Sequence, residues 1–315
     1  MVLHEFTFPS ADGMTDIHAV EWVPDGPVRA VVQISHGLAE HVLRYEPLAA
    51  WLTERGFAAA GHDHLGHGTS VAPGAPRLCF GPKGSWDFLV EDIETRRRLL
   101  VERFPGVPVF LLGHSMGSFL ARTYLIRCPG RVAGALLMGT GQVPAVPLVF
   151  GRALASVQVR KLGNGTPAPQ LDRLVFGHYN DRFAPSRTAF DWLSRDPDNV
   201  NAYMDDPLCG GVPTAGLFRE LLRGLSLVSR PALLKRMDPG TPVLLASGAL
   251  DPVGNYGRGV EQVLRVFRRA GVQDVTMKLY PGLRHEILNE DCREEVFQDL
   301  YRWMTQRLPA KEAVL

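Results

Sequence analysis

The residues of this chain best suited to chemistry are a serine, an aspartate and a histidine far apart in sequence. Ser115 lies in Gly113-His114-Ser115-Met116-Gly117, between the apolar run VPVFLL and the helical stretch SFLARTYLIR. A serine on a sharp strand-to-helix turn projects its hydroxyl from the carboxyl edge of a sheet, and flanking glycines relieve the crowding in that turn. A hydroxyl is a poor nucleophile until a base takes its proton, and the base must be oriented by an acceptor. Asp251 follows the apolar run PVLLASG and His285 follows VTMKLYPG, so both sit just beyond expected strands. Asp238 is the weaker substitute for Asp251 because it precedes its strand. No other histidine follows Asp251, so the base is His285.

Acyl transfer also needs donors for a developing oxyanion, and backbone N–H groups serve. The residue after the nucleophile is Met116. The second donor is expected from the loop after an earlier strand, and Leu38 in His36-Gly37-Leu38, at the end of AVVQIS, fits that position.

A second concentration of reactive side chains is His62-Asp63-His64-Leu65-Gly66-His67. Binuclear zinc hydrolases place an aspartate directly before the last histidine of such a run, but here that position is Gly66. The sequence therefore predicts no metal, and histidines that hydrogen-bond neighbouring strand ends. Cys79, Cys128, Cys209 and Cys292 stand singly, with none of the close pair spacing of a metal knuckle or redox motif, and read as reduced thiols.

The elements that would position these groups alternate. LHEFTF and DIHAVEWV predict a hairpin turning at Asp12-Gly13. The short, nearly all-apolar runs AVVQIS, FAAAGHD, VPVFLLG and VAGALLMG have the composition of strands buried on both faces, separated by helical patterns over about 45–55 (closed by Gly56) and in SWDFLVEDIETRRRLLVERF. Strands alternating with helices imply a parallel sheet covered on both faces. From about 141 to 236 the cycle lapses into Pro- and Gly-punctuated segments, then resumes with TPVLLASG, a helix in YGRGVEQVLRVFRRAG, VTMKLYPG and a final helix. We read 1–140 and 237–315 as the core and 141–236 as an inserted cap. Its segment PAVPLVFGRALASVQV is apolar enough to line an acyl pocket, and it also offers transient contact with a lipid surface.

At 315 residues, with 45% hydrophobic and 21% charged residues, the chain has the composition of a soluble globular protein. Lys+Arg 34 against Asp+Glu 33 leaves no basic surplus for phosphate backbones, which excludes nucleic acid as a partner. The first residues carry no continuous apolar run of the kind a secretory leader needs, so the expected location is the cytoplasm.

These segments, taken in order, resemble the serine hydrolases of the α/β-hydrolase superfamily, and within it the monoacylglycerol lipase and lysophospholipase group. The resemblance is carried by HGLAEHVLRYEPLA (36–49), GHDHLGHGTS (61–70), PGVPVFLLGHSMGS (105–118), MDDPLC (204–209), SGALDPVGNYGRG (247–259) and YPGLRHEILNE (280–290). It implies an eight-stranded, mostly parallel sheet with an inserted helical cap. The implied reaction is hydrolysis of a small acyl ester through an acyl-enzyme on Ser115, with no cofactor. It further implies that Glu40, Arg44 and Tyr203 surround a glycerol-like leaving group, although Glu40 and Arg44 are also spaced for an ordinary i,i+4 ion pair. Leu288 stands where that group tends to carry a second histidine, and Ser118 replaces the usual glycine. The alternatives are a general carboxylesterase, a proline iminopeptidase-like peptidase, whose HGGPG loop is absent here, and a non-catalytic binding protein on the same fold.

Overall fold

The computed structural model describes residues 1–309. Strands β1 (Val2–Pro9) and β2 (Asp16–Val23) form the hairpin, in register from Val2 opposite Val23 to Pro9 opposite Asp16. Its turn is held by Asp12, whose carboxylate accepts the N–H groups of Met14 and Thr15, both at 2.8 Å. Then come β3 (Ala30–Ser35), β4 (Phe57–His62), β5 (Val109–His114), β6 (Gly134–Met138), β7 (Val243–Gly248) and β8 (Val275–Tyr280). The sheet order is β1-β2-β4-β3-β5-β6-β7-β8, with antiparallel pairing only where β2 meets β1 and β4. Every residue of β3 to β7 is buried, which is why these strands read as unbroken apolar runs rather than alternating ones.

Two faces need two sets of helices. The period of two sends Leu111 and Leu112 of β5 to opposite sides of the sheet. Helix α1 (Glu46–Thr53) packs on the Leu112 side. It begins after a short 3-10 turn, with Pro47 in its first turn, and Gly56 at φ 77° turns the chain out beyond it. Helices α2 (Trp86–Arg103) and α3 (Met116–Arg127) cover the Leu111 side.

Between β6 and β7 the chain makes α4 (Ala145–Leu162), α5 (Pro169–Phe176), α6 (Pro197–Asp205), α7 (Ala215–Val228) and the short α8 (Pro231–Leu234). Helix α7 packs on α4 and also on α3 and α2, so it joins this segment to the helices on the sheet. Its Gly224 allows the approach, since a Cβ there would lie 2.2 Å from the Trp86 ring. The fully buried Arg122 of α3 donates to the carbonyls of Gly141 (2.8 Å) and Val228 (3.1 Å) and to Gln142 Oε1 (2.9 Å). Burial without a carboxylate partner pushes its pKa down to about 9. Helix α9 (Arg258–Ala270) lies on the α3 side and α10 (Arg293–Thr305) on the α1 side. No helix among the described residues is long and apolar enough to cross a membrane.

Candidate active site

Ser115 occupies the single residue between β5 and α3, at φ 51° and ψ −120°. That conformation costs a non-glycine residue about 1–3 kcal/mol and persists only where its surroundings impose it. They do: the Ser115 N–H donates to the Met138 carbonyl at 2.9 Å, and the Ser118 hydroxyl donates to the Ser115 carbonyl at 2.6 Å. The flanking glycines are obligatory, because a Cβ on Gly117 would lie 1.9 Å from the Ser35 carbonyl oxygen and one on Gly113 2.4 Å from that of Gly117.

Asp251, fully buried just past β7, takes His285 Nδ1 at 3.0 Å on Oδ1. The Val253 N–H donates to the same oxygen at 2.8 Å, and Ser247 donates to Oδ2 at 3.1 Å. Burial pushes the Asp251 carboxyl up, but His285 and these donors outweigh it and hold it below the usual carboxylate range. Asp238 is spent on its own turn, accepting from the Gly240 N–H and the Thr241 hydroxyl. The His285 ring packs at a tilt against Trp192 (5.0 Å between centroids, 41° between planes) and against His114 (4.7 Å, 44°).

Ser115 and His285 line one cavity together with Leu38 and Met116. Among the described residues the Ser115 hydroxyl donates to no protein group, and no protein acceptor takes the N–H of Leu38 or Met116. Catalytic hydrogen bonds commonly tighten only once substrate is bound.

Behind Leu38 lies a charged network that sequence spacing reveals only in part. Glu40 Oε1 accepts from the Gly37 N–H and, at 2.9 Å, from the Tyr45 hydroxyl, while Oε2 accepts from Arg44 at 2.9 Å. Arg44 also grips Glu286 with both terminal nitrogens, at 2.7 and 2.8 Å, and donates to Asn199 at 3.2 Å. Burial opposes the ionised state of Glu40 and Glu286, but Arg44, with His114 at Glu40, prevails and keeps both carboxyls low. His114 Nδ1 faces Glu40 Oε1 at 3.2 Å and its Nε2 faces the His285 carbonyl at 3.3 Å. Both neighbours are acceptors, so together they favour the protonated ring. Burial opposes that charge, and the bond to Glu40 raises the ring's pKa regardless.

Of the three expected alcohol-site residues, Glu40 and Tyr203 line the cavity and Arg44 does not. The ion pair of Glu40 with Arg44 is present, as an i,i+4 contact. The Tyr203 hydroxyl donates to the Ala39 carbonyl at 3.1 Å, and its ring lies 5.1 Å beneath the Arg44 guanidinium. His114, Glu286, Asn199 and Trp192 were not among the expected residues. His114 and Glu286 adjoin Ser115 and His285, which is the one signal in the sequence that points to them.

The cavity measures about 1230 Å³. Its far wall is apolar and comes from the segment between β6 and β7, including Phe150, Leu154, Val157, Leu171, Val175 and Leu225.

The histidine-rich loop is a buried packing unit. Ser35 Oγ and His64 Nε2 are 2.9 Å apart, and His36 Nε2 accepts the His64 N–H, but neither nitrogen of His62 has a protein partner. The expected hydrogen bonding to strand ends thus holds for His64 and not for His62, which packs edge-on against Phe8. Burial pushes His62 and His67 down to about 3, so both rings are neutral. The four cysteines are unpaired.

A profile of the family described as "Serine aminopeptidase, S33" matches residues 26–292. The chain is similar to a monoacylglycerol lipase of Mycolicibacterium smegmatis, 32% identical over 96% of this chain and 98% of that protein. It is also similar to human monoglyceride lipase, at 29% identity over 91% of this chain and 86% of the relative. Among solved structures, a carboxyl esterase from Bacillus coagulans in complex with glycerol superposes with a TM-score of 0.91 at 28% identity, covering 98% of this chain and 100% of that one. With its eight-stranded sheet, buried His285–Asp251 pair and strained serine turn, the chain belongs to the Serine aminopeptidase, S33 family of α/β-hydrolases.

Proposed function

We propose that this protein is a carboxylic ester hydrolase that cleaves monoacylglycerols. Ser115 attacks the ester carbonyl while His285 takes its proton and returns it to the departing glycerol. Asp251 holds the imidazole in the useful tautomer, and the N–H groups of Leu38 and Met116 steady the oxyanion. Water then enters in place of glycerol, and the same groups release the fatty acid. The observation that carries this reading is the buried His285–Asp251 pair, 3.0 Å apart, on one cavity with a strained serine and two untaken N–H groups. We take 141–236 as the cap, whose apolar wall receives the acyl chain.

The charge balance favours a neutral leaving group. Glu40 and Glu286 are both ionised, and Arg44 is fully engaged by them, so no free cation is left to receive a phosphate head group. Tyr203 and Glu40 are the polar groups we assign to the alcohol side, with Arg44 acting through Glu40. Val146, Val149 and Phe150 of α4 are 72%, 65% and 77% exposed, and we assign them transient contact with the lipid surface that supplies substrate. Four unpaired thiols fit a cytoplasmic setting.

The test is hydrolysis of monoacylglycerols, lysophospholipids and p-nitrophenyl esters by wild type and Ser115→Ala. Monoacylglycerols are expected to lead, and the variant to lose about 10⁴-fold or more in kcat. Retention of a substantial fraction of activity by Ser115→Ala would reject the serine mechanism, and a lead for lysophospholipids would reject the substrate.

A further inference from the structure

Outside this machinery, three metal-ligating side chains from two distant segments converge beside the Leu38 loop. His41 directly follows Glu40, and Asp206 and Cys209 lie in the turn after α6. One ligand atom from each, a ring nitrogen of His41, a carboxylate oxygen of Asp206 and Cys209 Sγ, all lie within 4.8 Å of one another. They are the one such group among the described residues. The ester chemistry above uses none of them.

The turn is pre-shaped. Arg77 donates to the carbonyls of Pro207 and Leu208, fixing the backbone between the two ligands. The Leu208 N–H occupies Asp206 Oδ1 at 2.8 Å and leaves Oδ2 facing His41 Nε2, also at 2.8 Å. Outer hydrogen bonds of this kind orient ligands before a metal arrives. The His41 side chain is 8% exposed and that of Asp206 28%, so an ion can reach the site from solvent.

An imidazole, a carboxylate and a thiolate form a donor set suited to zinc, with water in the fourth tetrahedral position. Tetrahedral zinc holds its donors about 3–4 Å apart, so His41 Nε2 and Asp206 Oδ2, now 2.8 Å apart, would give up their hydrogen bond and spread slightly, while Cys209 Sγ, within 4.8 Å of both, would draw in by up to about 1 Å. Their combined charge as ligands offsets the 2+ of the ion. The metal would replace the Cys209 proton, which passes to solvent, so binding tightens as pH rises.

We propose that His41, Asp206 and Cys209 form a regulatory Zn²⁺ site that clamps the turn after α6 to the loop bearing Leu38 and slows the enzyme. The two segments already touch, since the Gly210 N–H donates to the Ala39 carbonyl at 2.9 Å. His41 is next to Glu40, which holds the Gly37 N–H, so moving His41 from Asp206 onto an ion shifts the backbone that presents Leu38. The slowing rests on the oxyanion role proposed for Leu38, whereas metal binding does not.

The full chain, stripped with a chelator, is titrated with Co²⁺ and then Zn²⁺. A thiolate-to-cobalt charge-transfer band should appear, and Zn²⁺ should displace it. Cys209→Ser should abolish the band, and both it and Asp206→Asn should weaken Zn²⁺ binding at least about tenfold while leaving metal-free ester turnover unchanged. Zn²⁺ should inhibit wild type and spare Cys209→Ser. The absence of a band in wild type, or its survival in Cys209→Ser, would overturn the site. Equal inhibition of both proteins would overturn the regulation. Should Cys209→Ser fail to fold, X-ray absorption of the wild-type zinc complex decides: one sulfur neighbour supports the site, and none removes it. A chain that binds zinc in this way yet hydrolyses no ester would instead sink the esterase reading.

Discussion

On the sheet side of the cavity the charged groups are tied down. Asp251 takes three donors, Glu40 and Glu286 share Arg44, and His114 is held at both ring nitrogens. On the other side, built by the segment we propose as the cap, the wall is aliphatic and aromatic, and parts of it, such as Phe150, stand in solvent. The two jobs need different physics. Stabilising a developing charge requires dipoles already aimed, because reorientation during the reaction would cost what the site should save. An acyl chain is recognised by non-directional burial, which tolerates slack. The sheet side is thus where small changes should be expensive, and the cap side where they should only retune preference.

The most damaging test of that contrast is Asp251→Asn. It should leave substrate binding in place and lower kcat by about 10⁴-fold, because His285 loses the group that sets its tautomer. Asp238→Asn, which alters a turn, should stay near wild type; the reverse ranking would reassign the acid.

Next is Arg44→Ala, which leaves Glu40 and Glu286 buried without their cation. A loss of about 3–5 kcal/mol in urea unfolding is expected. A loss below about 1 kcal/mol, the worth of a surface pair, would mean that the network is not structural.

Acid should act on the sheet side as well. His62 and His67 titrate at about 3 when folded and near 6.5 when unfolded, so between those values the unfolded chain binds protons that the folded chain refuses. Their contribution is complete above about pH 6.5 and is lost as pH falls, at about 2–3 kcal/mol per unit for the pair. Melting temperature measured against pH should therefore begin to drop below about 6.5; a plateau continuing down to the carboxylate range would contradict it.

The smallest effect belongs to the cap. Phe150→Ser should lower kcat/KM for long-chain esters by about tenfold and leave short-chain esters alone. An equal loss on both would show that this wall serves packing and not chain recognition.

The strands and the order of the reactive residues were legible because both follow from local pattern. Apolar runs of five or six residues mark strands buried on both faces, and functional groups in such sheets follow the strand ends. What was not legible is whatever depends on three-dimensional closure. Arg44 and Glu286 are 242 positions apart, and nothing in the spacing of either announces the other. His41, Asp206 and Cys209 are joined only by the way the turn after α6 meets the Leu38 loop. The helices α5 and α6 begin at prolines in a stretch that reads as punctuation, so their packing could not be foreseen from periodicity. The setting of His114 between two acceptors likewise appears only once the chain has folded.

Arg122 gives the molecule its mechanics. From the helix that begins next to Ser115 it holds the chain at Gly141, just after β6, and at Val228, the last residue of α7. A flap hinged at its base would have to tear these bonds from a buried cation. With both ends tied to one buried cation, the two crossings of the chain are held in a fixed relation to each other, as a bridge deck is by its piers. The helix that holds both crossings starts at the residue after Ser115, so the serine turn and the inserted segment share one anchor.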